Sequence, residues 1–368
     1  MAGIYLHIPF CAVKCPYCDF YSLPARPASM DSYLAALLNE IKNAPENLPV
    51  ETVYFGGGTP SLFGSGRIAA VMERLRERFV LSDSAEITLE TNPFSTPERE
   101  YELLLKAGIN RLSFGVQSAV PAELRRLGRL QGPEQVKTAV SRAKAAGFRN
   151  LSADLMLGIP GQTVDSLKQS VSFLAALGLR HLSAYLLKVE EGTPFAAQGT
   201  VSYCPGEEEQ AELYLAAVSL LEEAGFRQYE ISNFAKPGFE SRHNLKYWRR
   251  EEYLGFGPAA HSFFQGKRYA HPRDLEGYLR TGGQNAALTD ECPDPAEEEL
   301  MLRLRLCEGV EIASLPIGED AGRRLFAAAR PLEQAGLLRA DNGQIALTPE
   351  GFLVSNAVIL RLVQALDG

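Results

Sequence analysis

The chain has little of what marks several large protein classes. No apolar run approaches the ~20 residues that a membrane-spanning helix needs. The N-terminal stretch Met-Ala-Gly-Ile-Tyr-Leu-His-Ile-Pro-Phe has no basic segment ahead of it, and its apolar run is too short for a secretory leader. An excess of positive charge is missing too. The formal net charge of -8 argues against a nucleic-acid partner gripped through its phosphates. With neither leader nor span, the expected location is a reducing cytoplasm, with membrane contact peripheral at most. Six cysteines in that setting, three of them crowded between positions 11 and 18, read as metal ligands rather than disulfides.

What is present is a regular alternation. Short apolar strands are expected near 3–8, 52–55, 85–90, 111–116, 150–155 and 181–187, each followed by a helical pattern. Tyr33, Leu34, Leu37, Leu38 and Ile41 form one apolar helical stripe. Thr96 and Pro97 read as an N-cap and first helical residue, with Gly108 as the stop; 133–147 and 164–178 repeat that punctuation. Six βα units are too few to close an eight-stranded barrel. The fold class expected is therefore α/β, an open three-quarter (β/α)6 TIM-like barrel over residues 1–230. In such barrels chemistry gathers on the loops after the strands' C-terminal ends.

After residue 230 the rhythm breaks. Residues 231–285 read as an irregular, aromatic- and histidine-rich connecting segment, ending in a Gly/Pro-containing linker near 282–296. A small C-terminal domain over 286–368 follows. Helices are expected around 297–307 and 318–336, then an Asp341-Asn342-Gly343 hairpin and a last helix capped by Thr348-Pro349. Helices with one hairpin suggest a winged-helix-like shape. Residues 297–368 carry seven basic and eleven acidic side chains, so the domain reads as structural or partner-facing rather than DNA-binding.

The chemistry is concentrated after the first strand, in Cys11-Ala-Val-Lys-Cys15-Pro-Tyr17-Cys18. Thiolates are the usual ligands of iron–sulfur clusters, and three of them can hold three irons of a cubane, leaving the fourth open. The competing assignment is zinc, whose structural sites want four ligands in paired knuckles; His7 is the one fourth ligand on offer, yet it lies in a strand and reads as a packed histidine. Later strands end in motifs of their own. The second ends in Gly56-Gly57-Gly58-Thr59-Pro60, whose glycines would expose N–H groups to a ligand. Glu90-Thr91-Asn92, Gln117-Ser118 and Asp154 follow at the next strand ends, with Arg129 beyond the fourth.

The C-x3-C-x2-C loop resembles that of the radical S-adenosylmethionine (SAM) superfamily. Its context, His7-Ile-Pro-Phe-Cys11 with Asp19-Phe20, is similar to the coproporphyrinogen-oxidase-like branch, across almost the whole chain. The resemblance implies a [4Fe–4S] cluster on Cys11, Cys15 and Cys18, with S-adenosylmethionine on the open iron. It implies contacts to that molecule from the positions of Tyr5, Gly57 and Glu90. In the radical oxidase the positions of Tyr17, Gly58, Thr59, Gln117, Arg129 and Asp154 line a second S-adenosylmethionine.

Two departures from the oxidase stand out. That enzyme has a further cysteine where this chain has Asp19-Phe20, and an N-terminal extension over its substrate site, whereas the first strand here starts near residue 3. One addition points elsewhere: His243-Asn244-Leu-Lys-Tyr247-Trp248 matches the HNxxYW signature of the radical SAM haem chaperones. A neutral imidazole can ligate haem iron, and tyrosine and tryptophan offer flat faces to a porphyrin. Read from composition alone, a cluster holding the single tryptophan is a packing cluster. The resemblance makes it a haem-binding segment. Cys204-Pro205 and Cys292-Pro293 carry little weight as haem motifs, because Cys15-Pro16 shows the same dipeptide; His261 follows a glycine-rich stretch, Gly255 to Gly257, that is a candidate to close over the cofactor site.

The expectation is thus a haem chaperone without coproporphyrinogen oxidase activity. Its cofactors would be the cluster, S-adenosylmethionine and haem. Its partners would be haem and haem-accepting apoproteins such as respiratory haem enzymes, with a homodimer as the candidate assembly. The alternative is a radical enzyme that oxidises porphyrinogen propionates or starts haem breakdown.

Overall fold

In a computed structural model the chain is described over residues 1–93, 96–129 and 132–367. Six strands carry the expected rhythm: β1 (Ala2–Ile8), β2 (Pro49–Gly57), β3 (Val80–Thr91), β4 (Arg111–Gln117), β5 (Asn150–Leu157) and β6 (His181–Leu186). They run parallel and neighbour one another in chain order. No β6–β1 pairing closes the ring, so the barrel is open. Most side chains of β1, β4 and β5 are buried on both faces, as expected for parallel strands covered by helices.

The covering helices follow their apolar stripes. The helix Pro27–Asn43 buries Tyr33, Leu37 and Ile41, with Leu34 and Leu38 half-buried at the rim. It also buries Glu40, which no stripe foretold. That carboxylate accepts from Tyr278 Oη at 2.5 Å and Gly257 N at 3.1 Å, and pairs with His271 Nε2 at 2.7 Å. Gly108 and Gly147 end their helices in the left-handed conformation that glycine adopts without steric cost. The helix before Gly108 starts one residue later than expected, at Glu98 with Pro97 as its N-cap, because Thr96 turns its hydroxyl to Thr91 Oγ1 at 2.8 Å.

The segment after 230 is not irregular, and this corrects the sequence reading. It extends the same sheet at both edges. β7 (Arg227–Glu230) and β8 (Asn233–Ala235) add an antiparallel pair beside β6. On the far side β9 (Tyr253–Phe256) lies parallel to β1, and β10 (His261–Phe264), β11 (Lys267–Ala270) and β12 (Ala287–Asp290) continue outward antiparallel. The result is a twelve-stranded sheet with β1 in its interior, and the expected linker supplies its outermost strand.

Beyond it, helices Pro295–Arg303 and Glu319–Gln334 precede a hairpin of β13 (Leu338–Asp341) and β14 (Gln344–Leu347). Asn342 and Gly343 both have positive φ, the requirement of a two-residue type I′ turn. Thr348 Oγ1 caps the next helix by accepting from Gly351 N, and the helix Ser355–Asp367 packs against Glu319–Gln334. The expected hairpin, cap and helices are all present. No described helix is long and apolar enough to cross a membrane.

Candidate functional site

A cleft opens at the C-terminal ends of β2 to β6, where the loop carrying the three cysteines folds over them. Its walls include Cys11, Cys15 and Cys18, Tyr17, Gly57, Gly58 and Thr59, and further in Glu90, Gln117, Arg129 and Asp154. Every residue expected to hold the cluster or S-adenosylmethionine is therefore here, with one exception. Tyr5 lies on the same face of the sheet, its ring stacked on Tyr54 and its hydroxyl 3.1 Å from His7 Nδ1, but it borders a neighbouring cavity and not this cleft.

Among the described residues no three His, Cys, Asp or Glu side chains converge on a single ion. Three free thiols spread around one loop suit a cubane, in which each sulfur meets a different iron, and not a zinc ion that gathers its ligands in one tetrahedron. Burial raises the Cys18 thiol above its ordinary value, the neighbouring thiols adding to the shift, so a bound cation is what would hold it as thiolate. Thr59 Oγ1 already stands 3.6 Å from Cys11 Sγ.

The glycine run works differently from the expectation. Gly58 N donates to Ile8 O at 2.9 Å and Thr59 N to Phe10 O at 2.8 Å, while Gly57 N–H donates to Glu90. These amides anchor the cysteine loop to β2 and are not left bare for a ligand. A Cβ on Gly58 would lie 2.7 Å from Phe10 O, and Gly57 holds φ +108 with His7 directly behind it. Backbone approach, rather than ligand approach, requires these glycines.

The electrostatics of the floor are those of a cation site. Burial raises Glu90 to about 7, with Asp154 nearby adding to the shift, although Tyr54 Oη donates to it at 2.8 Å. Burial likewise raises Asp154 to about 6, against opposing contributions from Ser183, Arg129 and Arg111. Two carboxyls held near neutrality would both ionise beside an ammonium or sulfonium group. Arg129 lies across from them, donating from Nε and Nη2 to Tyr17 Oη at 3.0 and 2.7 Å and from Nη1 to Gly115 O at 3.0 Å. Gln117 holds a positive φ of 72 at the end of β4 and accepts from Tyr185 Oη at 2.9 Å. A non-glycine residue kept there is strained, and such strain gathers at ligand sites. Carboxylates opposite a guanidinium match a zwitterion that carries an extra positive charge, as S-adenosylmethionine does.

Sequence reasoning missed Tyr54, Ser113 and Tyr185 in or beside this floor. Each lies on a strand already assigned, a few residues before its motif, on the face that alternation turns inward.

Comparison with known proteins decides the family. The Radical SAM superfamily profile matches residues 5–174, and the HemN C-terminal domain profile matches 293–354. The heme chaperone HemW of Bacillus subtilis is 36% identical, the match covering 97% of this chain and 98% of that protein. The chain belongs to the HemW family. The heme chaperone HemW of Escherichia coli is likewise 36% identical, over 83% of each chain. Among solved structures, coproporphyrinogen III oxidase (HemN) from Escherichia coli, a radical SAM enzyme, superposes with a TM-score of 0.84 at 24% identity, covering 100% of this chain and 90% of that one. At that identity the likeness establishes the fold alone.

The HNxxYW segment of this HemW-family chain forms the helix Arg242–Trp248, beneath β1 and β2. His243 does not stand ready as a haem ligand, which corrects the reading from its motif. It is 1% exposed, with Nδ1 2.9 Å from Thr52 Oγ1 and Nε2 2.7 Å from Tyr247 Oη. Burial, with Lys246 and Arg111 adding to it, pushes its pKa down to about 3. Trp248 donates to the buried Glu230, and neither it nor Asn244 reaches the cavity beyond β1. Tyr247 does reach it. That second cavity, about 440 Å³, is lined by Tyr5, Tyr21, Tyr247, Tyr253 and three histidines, and it shares Phe20 with the cluster cleft.

Proposed function

We propose that this protein is a haem carrier that also holds a [4Fe–4S] cluster and S-adenosylmethionine, and that it hands haem to apoproteins in the cytoplasm. One observation carries the reading: near-full-length similarity, at 36% identity, to a protein named a heme chaperone.

Cys11, Cys15 and Cys18 would hold the cluster on a loop that Gly58 and Thr59 tie to β2. Glu90 and Asp154 would face the positive groups of S-adenosylmethionine, while Arg129, fixed by Tyr17 and Gly115, would meet its carboxylate. Gln117 and Thr59 complete that wall. When bound, the cluster supplies an electron and an open coordination site, chemistry that is its own rather than the protein's. In a carrier the same residues would register whether cluster and S-adenosylmethionine are present. Tyr247 is the member of the HNxxYW segment placed to touch haem, and His243 acts through it as a positioning residue.

The test is anaerobic haem titration of the cluster-loaded protein beside a turnover assay with coproporphyrinogen III. A carrier binds about one haem per chain and forms no protoporphyrinogen. Robust protoporphyrinogen formation would overturn the proposal in favour of an oxidase.

A further inference from the structure

The chain has five histidines, and four of them are fully engaged. His7 is bonded to Tyr5 Oη and to Tyr21 O. His181 lies 2.7 Å from Ser152 Oγ and 2.8 Å from Tyr229 Oη. His243 is held by Thr52 and Tyr247, and His271 by Glu40 and Asn285. His261 differs from all of them. It is exposed at the start of β10, lines the aromatic cavity, and among the described residues neither ring nitrogen has a hydrogen-bond or ion-pair partner.

Its surroundings suit a flat, largely apolar ligand with an anionic edge. Tyr21, Tyr247 and Tyr253 supply aromatic surface, and Tyr247 is braced from behind by His243. Arg273 stands at the rim, its one carboxylate partner being Asp19 at 3.4 Å, with both side chains about half exposed. An exposed pair of that kind is weak and readily exchanged for another anion. Burial lowers the His261 pKa, and Arg268, Arg273 and His271 lower it further, so the ring is neutral at physiological pH and free to coordinate a metal. The volume, about 440 Å³, lies within the range of pockets that hold small organic ligands, and the open side leaves one edge of a larger ring in solvent. An exposed ligand at the open side of a cavity favours release as well as capture.

We infer that this cavity is the haem seat, with His261 as the axial ligand to iron and Arg273 as the partner of a propionate. The inference rests on the haem-carrier reading and adds the site to it. It also places the haem against Phe20, the residue that the cavity shares with the cluster cleft.

The test adds ferric haem anaerobically to the cluster-loaded protein and reads binding together with the low-temperature electron paramagnetic resonance of the haem. The oxidised [4Fe–4S] cluster is diamagnetic and leaves that window clear. His261→Ala should weaken binding roughly tenfold or more and change the ferric signal, and added imidazole should restore the signal. Arg273→Ala should weaken binding about threefold with the signal unchanged. Cluster content and melting temperature, expected to be unaltered, exclude misfolding. If His261→Ala and Arg273→Ala both bind as the unaltered protein does, with the same signal, the site assignment is overturned and the carrier reading stands. If the unaltered protein binds no haem, the carrier reading itself falls.

Discussion

The two cavities on either side of β1 are built on opposite plans. The cluster cleft is lined by residues from the ends of consecutive parallel strands, and its charged groups answer one another: Arg129 to Tyr17, Tyr54 to Glu90, Ser113 to Asp154. The aromatic cavity is assembled from β1, the cysteine loop, the helix Arg242–Trp248 and the strands β9 and β10 that flank β1, and among the described residues its one free imidazole has no partner. A preorganised cleft suits a cofactor that must sit in one pose. A cavity with an unpartnered ligand at an open edge suits cargo that must leave.

The sharpest way to break this comparison is to remove a cysteine. Replacing Cys11, Cys15 or Cys18 by Ala should abolish cluster incorporation, read as iron and sulfide per chain, while haem binding persists. Loss of haem with the cluster would show that the cavities are not independent. Next in size is Gly58→Ala. Its Cβ would press on Phe10 O at 2.7 Å, so ~2 kcal/mol of stability should be lost, as in other overpacked sites, with impaired cluster loading. Urea unfolding measures the first and iron content the second.

A subtler effect comes from pH. Glu90 and Asp154 have pKa values raised to about 7 and about 6, above those of the unfolded chain, so the folded state binds more protons than the unfolded state between about pH 4 and 7. Stability of the ligand-free protein should therefore fall as pH rises through that window. S-adenosylmethionine should bind more tightly as both groups ionise. Melting curves with and without the ligand at pH 5.5 and 8 test this, and Glu90→Gln should flatten most of the dependence. The smallest expected effect is that of Tyr247→Phe, which takes a hydrogen bond from buried His243 and should cost ~1–2 kcal/mol in unfolding experiments.

The central strands were legible because a parallel strand buried on both faces writes itself as an apolar run, and helices between such runs have stripes such as Tyr33, Leu37 and Ile41. The strands added outside the central six were not. Lys-Arg-Tyr-Ala at Lys267–Ala270 has no apolar alternation, and it becomes a strand because β10 and β12 offer backbone partners from elsewhere in the chain. The site divided along the same line. Residues at strand ends could be found by counting from their motifs, since the barrel brings all those ends to one mouth. The surroundings of Tyr5 and His243 were not legible, because spacing says which residue is present but not which cavity it borders, nor that Thr52 and Tyr247 would claim both imidazole nitrogens. His261 stood out only once the other four imidazoles were seen to be occupied.

The position of β9 beside β1 also bears on how the chain is made. β1 leaves the ribosome well before its partner β9, for one of its two neighbours, reached through pairs such as Tyr5 with Gly255, comes some 250 residues later. Until then the strand leading into the cysteine loop has an open edge, and the walls of the aromatic cavity formed by Tyr247 and Tyr253 do not yet exist. Such long-range pairing forms late in folding. Chains arrested before residue 250 should accordingly be cut by protease within the cysteine loop, and chains arrested past 290 should resist. Equal resistance in both would show that β1 is secured without β9. The order of synthesis then sets the order of assembly: the seat for the cluster is sketched first, and the cavity at its side is completed last.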